Sequence, residues 1–203
     1  MELLLIRHGL PERVVNDDGT PADPPLSAIG REQAARVARW LDGTPIDRIY
    51  ASPLLRARET AAPLAALRSL AVDISEGVRE YDAEAESYIP MEDLKVQDYE
   101  AWKRLVSGGY APEVDFLDFY HTVIAAVEAI IAANPGRRVA VFCHGGVINA
   151  WAAHVLGLKP QLFVDARYTS VNRFFAAASG ERSLASLNET AHLRDLPLLP
   201  RTP

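Results

Sequence analysis

The chain opens on Glu2-Leu-Leu-Leu-Ile6, a continuous apolar run that empties into Arg7-His8-Gly9. A run this short, with no polar alternation, suits a strand buried on both faces, and such a strand needs helices above and below its sheet. The pattern returns at residues 138–142, which give way to Cys143-His144-Gly145-Gly146, and more weakly at residues 46–51, which give way to Ser52-Pro53. Helical patterns lie between these strands. Ser27 offers an N-cap for a helix to about residue 41, with Ala34, Val37, Ala38 and Leu41 on one apolar stripe. Ser52-Pro53 fits an N-cap and a first-turn proline for a helix to about residue 68. Residues 91–106, 113–133 and the stretch after Gly146 to about residue 156 also read as helices. Residues 72–74 read as a weaker strand, and 169–178 and 183–188 as two strands joined near Ser179-Gly180. Repeated strand-helix alternation requires crossover connections, so the expected fold is a three-layer α/β/α sandwich with a mostly parallel central sheet. Its 203 residues fit one domain.

Charge narrows the partners. A formal net charge of -6 argues against a general hold on nucleic acid or an anionic membrane, since phosphate backbones demand clustered Lys and Arg. Any phosphate recognised here must meet local cations. The single cysteine, Cys143, rules out an internal disulfide and a thiolate metal pair, which fits a reducing cytoplasm. Arg7 and His8 interrupt the first apolar run far short of a signal or membrane segment, so the protein is expected to be soluble and cytoplasmic.

In parallel sheets, sites gather at the strands' carboxyl ends. Arg7-His8-Gly9, Ser52-Pro-Leu-Leu-Arg-Ala-Arg58 and Cys143-His-Gly-Gly146 all fall there and can converge in one pocket. Phosphoryl transfer asks for an in-line nucleophile, a proton for the departing oxygen, and fixed positive charge around the equatorial oxygens. A neutral imidazole takes up a phosphoryl group directly, and Arg7 disfavours protonation of its neighbour, so His8 is the candidate nucleophile. Arg7 and Arg56 can clamp phosphate oxygens with their planar forks, and His144 can donate to a third. Gly9 and Gly145 would let backbone approach closely.

These segments resemble the histidine phosphatase superfamily, which includes the cofactor-dependent phosphoglycerate mutases and many phosphatases. Leu5-Ile-Arg-His-Gly9 is similar to its nucleophile motif and residues 25–34, Pro-Leu-Ser-Ala-Ile-Gly-Arg-Glu-Gln-Ala, to its first helix entry. Residues 52–61, Ser-Pro-Leu-Leu-Arg-Ala-Arg-Glu-Thr-Ala, match its second-arginine motif, and Phe142-Cys-His-Gly-Gly146 its second-histidine motif. Asn188-Glu-Thr-Ala-His-Leu193 is similar to a common C-terminal segment, so the resemblance spans nearly the whole chain. It implies His8 as the phosphorylated nucleophile, Arg7, Arg56 and His144 as phosphate-binding groups, with Gly145 beside them, and Glu80 as proton donor. It also implies no metal and no other cofactor. After Glu80 the chain departs from the glycine and Trp-Glu-Gly stretch of many members, reading Tyr81-Asp-Ala-Glu-Ala-Glu-Ser-Tyr-Ile-Pro90. Asp82 is therefore a competing donor, and this segment is expected to form a different wall over the pocket.

Two arginines at 56 and 58 on one helix point to different faces, so only one can enter the site; the resemblance selects Arg56. His121, His154 and His192 lack the spacing of helical metal-ligand pairs and read as structural or surface residues. Cys143, inside an apolar strand, reads as a small buried hydrophobe. Between residues 76 and 118 stand twelve acidic residues against four basic ones, over an apolar side formed by Leu94, Trp102 and Leu105. Residues 81–118 are thus a candidate lid or cap whose field favours neutral or cationic leaving groups. The expected activity is a metal-independent phosphomonoesterase of the histidine acid phosphatase type, acting on small-molecule phosphate monoesters. The alternatives are a phosphoglycerate mutase-type phosphotransferase and a non-catalytic phosphate-binding scaffold. Substrate identity and oligomeric state stay open, a homodimer included.

Overall fold

A computed structural model describes residues 1–106 and 116–196. Its centre is a six-stranded sheet in the order β4-β3-β6-β1-β7-β8. The strands are β1 (Glu2–Arg7), β3 (Arg48–Ala51), β4 (Val72–Ile74), β6 (Arg138–Cys143), β7 (Val171–Ala176) and β8 (Arg182–Glu189). β4, β3, β6 and β1 run parallel, while β7 and β8 are antiparallel additions at one edge. The helices of the two flanking layers are α1 (Ala28–Trp40), α2 (Leu55–Arg68), α5 (Phe116–Ala133) and α6 (Gly145–Leu156). β1 and β6 are buried on both faces because each face meets a core of its own. Leu3, Leu5, Val139 and Val141 turn toward Val123, Val127, Val147 and Trp151, whereas Leu4, Ile6, Ala140 and Phe142 turn toward Val37, Leu41, Ala61 and Leu64. The period-two alternation of a strand thus divides one apolar run between two layers.

Register places the chemistry. Arg7 pairs with Cys143 across the parallel β1-β6 ladder, so His8 and His144 are the next residues out of adjacent strands. Ala51 pairs with Phe142 on the other side of β6, which brings Ser52 to the same level. The backbone continues the ladder past the strand ends, His8 N donating to Cys143 O at 3.0 Å and Ser52 N to Phe142 O at 2.9 Å.

Helix starts differ from expectation in one place. Ser27 does cap α1, accepting from Gly30 N at 3.0 Å. Ser52 does not cap α2, which begins three residues later at Leu55; the carboxylate of Asp23 caps it instead, accepting from Leu55 N at 2.8 and 3.0 Å. Ser52 is engaged elsewhere, by His144.

The stretch read as one helix over 91–106 is two, α3 (Met91–Gln97) and α4 (Tyr99–Val106). Asp98 divides them: its backbone leaves the helical region at φ -144°, and its carboxylate accepts from Ala101 N at 2.9 Å, as an N-cap does. Residues 16–25, rich in Asp, Gly and Pro, follow a two-residue strand, β2 (Val14–Val15), which pairs with β5 (Ser87–Tyr88) in a small antiparallel sheet. Asn16 N to Glu86 O and Ala22 N to Ala85 O extend that pairing. Residues 12–25 and 81–90 therefore form one joined wall. Among the described residues no helix is long and apolar enough to cross a membrane.

Candidate active site

His8 is buried beyond the end of β1, and its Nδ1 lies 2.8 Å from the carbonyl oxygen of Gly9. A carbonyl only accepts, so Nδ1 carries the proton and Nε2 keeps its lone pair. Burial, and after it the charges of Arg56 and Arg7, hold the His8 pKa well below that of a free histidine. The ring is therefore neutral and nucleophilic at neutral pH. The next peptide is fixed as well: Gly9 N donates to Thr60 Oγ1 at 2.9 Å, and Thr60 in turn donates to Arg56 O at 2.6 Å. Gly30 and Gly9 are packed backbone to backbone, since a Cβ on Gly30 would stand 2.0 Å from Leu10 O and one on Gly9 2.6 Å from Gly30 O. That contact presses the start of α1 against the segment behind the nucleophile.

His144 faces His8 with ring centroids 5.1 Å apart. Its Nε2 lies 2.8 Å from Ser52 Oγ, which itself accepts from Leu54 N at 3.3 Å. When Ser52 donates its hydroxyl proton to Nε2, the ring's own proton sits on Nδ1. That nitrogen is buried and has no hydrogen-bond partner, so it is the donor left for a bound oxyanion. Burial, then Arg56, lowers the His144 pKa well below the ordinary value.

Arg56 is 1% exposed, yet its Nε and Nη1 make no hydrogen bond. Asp23 and Asp82 approach it at 3.8 and 3.9 Å, beyond hydrogen-bond range, and the face of Tyr88 lies 4.8 Å from the guanidinium carbon. A buried cation with idle donors is costly unless an anion completes its shell. Arg58, two residues on, is exposed, as the helical spacing requires. Arg7 donates to Ala166 O at 2.6 Å and lies 4.0 Å above the Tyr168 ring.

Glu80 caps the start of α6: its Oε2 accepts from Gly146 N at 2.9 Å and its Oε1 from Tyr81 N at 3.2 Å. Those bonds and Arg56 favour the carboxylate, but burial, followed by the charge of Asp82, outweighs them and raises its pKa to about 7. Asp82 is also raised by burial, against the pull of Arg56, but its side chain is 38% exposed and faces the arginine. The close approach expected at Gly145 occurs one residue later. A Cβ at Gly145 would meet only Arg7 Nε, at 3.9 Å, whereas one at Gly146 would stand 2.2 Å from Glu80 Oε1. Only glycine at 146 admits that carboxylate.

His8, Arg7, Arg56, His144 and Glu80 are thus gathered around one centre, Gly145 borders it, and Asp82 stands at its edge. Sequence reasoning missed Tyr88 and Tyr168, whose rings lie 6.3 and 5.7 Å from His8. It also missed Asp23 as the residue that fixes the start of α2, and Thr60 behind Gly9. Buried Asn149 escaped notice too; its amide donates to Gly145 O and Val164 O and accepts from Phe163 N and Val164 N, tying α6 to the loop before β7. The second-arginine segment did carry one signal, a Glu-Thr pair directly after the arginines: Glu59 accepts from Leu26 N at 2.6 Å just as Thr60 accepts from Gly9 N. Among the described residues there is no group of three or more His, Cys, Asp or Glu side chains able to hold a metal.

Residues 3–190 match the family model of the histidine phosphatase superfamily, branch 1. The chain belongs to that superfamily. Members of this family typically react through a phosphohistidine. A probable phosphoglycerate mutase of Yersinia enterocolitica is 26% identical, with 98% of this chain and 97% of the relative covered. Phosphoserine phosphatase 1 of Hydrogenobacter thermophilus is 27% identical over 80% of each chain. The mycobacterial glucosyl-3-phosphoglycerate phosphatase superposes with a TM-score of 0.77, covering 94% of this chain and 99% of that one at 22% identity, a likeness of fold.

Proposed function

We propose that the protein hydrolyses small-molecule phosphate monoesters, with His8 Nε2 displacing the alcohol and water then releasing phosphate from the phosphohistidine. The observation that carries this reading is the buried Arg56, whose idle donors share one centre with a neutral His8 and the unpartnered Nδ1 of His144. Arg7 and Arg56 neutralise charge as it spreads onto the equatorial oxygens and His144 donates a hydrogen bond to the third, the task that metal ions perform in many other phosphatases. Glu80 gives its proton to the departing oxygen, a role that suits a carboxyl group with a pKa of about 7. Asp82 is the poorer donor because the Arg56 charge opposes the effect of burial more directly there than at Glu80.

The enzyme is a metal-independent phosphomonoesterase of the histidine acid phosphatase type, and the lone, buried Cys143 suits a cytoplasmic setting. The wall of residues 12–25 and 81–90, continued by α3 and α4, acts as its cap; residues 107–115, counted in the lid at the sequence level, lie outside the described residues. Hydrolysis is favoured over mutase chemistry because Asp23 and Asp82 already crowd Arg56, which discourages the second anionic group that a bisphosphorylated intermediate carries.

Rapid quenching during turnover tests the core of the proposal. The expected result is one phosphoryl group on His8, labile in acid and stable in base, with label and activity both lost in His8→Ala. Label that persists in that variant, or maps to Ser52, would refute the assignment.

A further inference from the structure

The C-terminal segment Asn188-Glu-Thr-Ala-His-Leu193 lies outside the phosphate centre, yet it reaches the nucleophile through two hydrogen bonds. His192 stacks on Trp40 with ring centroids 5.2 Å apart, and its Nε2 shares a hydrogen bond of 3.1 Å with Thr169 Oγ1. Thr169 is fully buried and holds φ +56°, a left-handed conformation in which a β-branched residue is a true outlier. That conformation turns its N–H onto two carbonyls at once, Arg7 O at 3.1 Å and His8 O at 3.2 Å.

The peptide joining His8 to Gly9 is thereby clamped from both sides. Its carbonyl accepts from Thr169 N, and its N–H donates to Thr60 Oγ1 at 2.9 Å. The next carbonyl along, Gly9 O, is the acceptor that holds the proton on His8 Nδ1. Rotating the clamped peptide swings Gly9 O away from the ring, after which nothing selects the tautomer with its lone pair on Nε2. Strain of this kind persists only where surrounding contacts over-determine it, and here those contacts come from the C-terminal segment. Asn188 supports the same loop, accepting from Arg167 N at 2.9 Å and donating to Asp165 O at 2.9 Å.

We infer that His192 is a positioning residue, which holds Thr169 in its left-handed turn and through it fixes the tautomer and aim of His8. The inference rests on the reading of His8 as nucleophile only for its effect on rate; the effect on the imidazole stands apart. Imidazole nitrogen NMR of the ligand-free protein reads that effect directly. In the parent, His8 shows one neutral tautomer protonated at Nδ1. In His192→Ala and in Thr169→Val, which replaces the hydroxyl with a methyl group, both tautomers are expected. The single-turnover phosphorylation rate is expected to fall by about tenfold or more, the scale of a small misplacement of a reacting group. Inhibition by inorganic phosphate, set by Arg7 and Arg56, stays within about twofold. His192→Gln, which keeps a polar nitrogen near the Nε2 position, recovers most of the rate, and the two deletions combined cost no more than either alone. Unchanged His8 nitrogen signals in both deletion variants would overturn the inference, as would a phosphate affinity that falls in step with the rate. A changed tautomer with an unchanged rate would uphold the positioning and instead remove His8 as the nucleophile.

Discussion

The phosphate centre and the wall that faces it are built on opposite principles. At the centre the functional side chains leave strand ends, the first turn of α2 or, for Glu80, the segment after β4, and buried partners back them: Gly9 O behind His8, Ser52 behind His144, Gly146 N behind Glu80. The wall is made from a two-residue strand pair and short helices broken at Asp98, with Val15, Val96 and Tyr99 exposed. Its charges pair weakly, as in the 2.7 Å bridge between Arg79 and Glu84, whose carboxylate is 75% exposed. The exposed residues of the wall can change at less cost than the buried centre, whereas Asp23, Asp82 and Tyr88, which approach Arg56 or His8, tie its inner face to the site.

The sharpest test of this division is Arg56→Ala. If Arg56 binds the transition-state charge as proposed, its removal is expected to cost on the order of 10²-fold or more in kcat/KM for every phosphate monoester, independent of the alcohol. The parallel measurement on Arg58→Ala, an exposed neighbour, is expected within about twofold of the parent. Equal losses in the two variants would erase the distinction between buried and solvent-facing arginines on α2.

Next in size is Glu80→Gln, which keeps the shape of the side chain and deletes its proton. Alkyl phosphates, whose alkoxides leave as strong bases, are expected to lose roughly 10²-fold in the single-turnover phosphorylation rate, and p-nitrophenyl phosphate far less. Asp82→Asn, at the border of centre and wall, is expected to show no such dependence on the leaving group. The reverse pattern would move the proton donor two residues into the wall.

A pH profile draws the same boundary with a smaller change. In the proposed donor role Glu80 must be protonated, and its pKa is raised to about 7, so phosphorylation by alkyl substrates is expected to be flat below about pH 7 and to fall as pH rises through it. His8 must be neutral, and its depressed pKa keeps it so through this whole range, placing the acid limb well below pH 6.5. Loss of the alkaline limb in Glu80→Gln assigns it; its survival in that variant would place the titrating acid elsewhere.

The smallest effect belongs to the wall itself. Glu84→Gln is expected to leave kcat on p-nitrophenyl phosphate within about twofold and stability within about 0.5 kcal/mol, as for most exposed substitutions. The relative rates on cationic and anionic leaving groups are expected to shift toward the anionic ones. A large loss on all substrates would mean that the wall takes part in the chemistry.

The two regions also differ in how far the sequence discloses them. β1 and β6 are legible because burial on both faces leaves no room for polar residues before Arg7 and His144, so the strand ends and the site coincide in the chain. The helical period was enough to separate Arg56 from Arg58. Local signals failed where a partner distant in sequence takes over a local task. Ser52 carries every mark of an N-cap, but His144 claims its hydroxyl and Asp23 caps α2 from 32 residues away. Tyr88 and Tyr168 were hidden for the same reason, since neither sits in a pattern of its own and each reaches His8 only once β5 meets β2 and the loop before β7 closes. The split at Asp98 is the opposite case, a capping residue in plain view inside an otherwise continuous helical stretch.

Cys143 points from the end of β6 into the core, and burial, with Glu80 adding a smaller push, raises its pKa far above that of a free thiol. A thiol held in its protonated form reacts poorly with peroxides and alkylating agents, because the thiolate is the reactive species. With catalysis resting on imidazole nitrogen and the chain's single sulfhydryl out of reach, oxidants that silence thiolate-dependent phosphatases find no corresponding target beside this site.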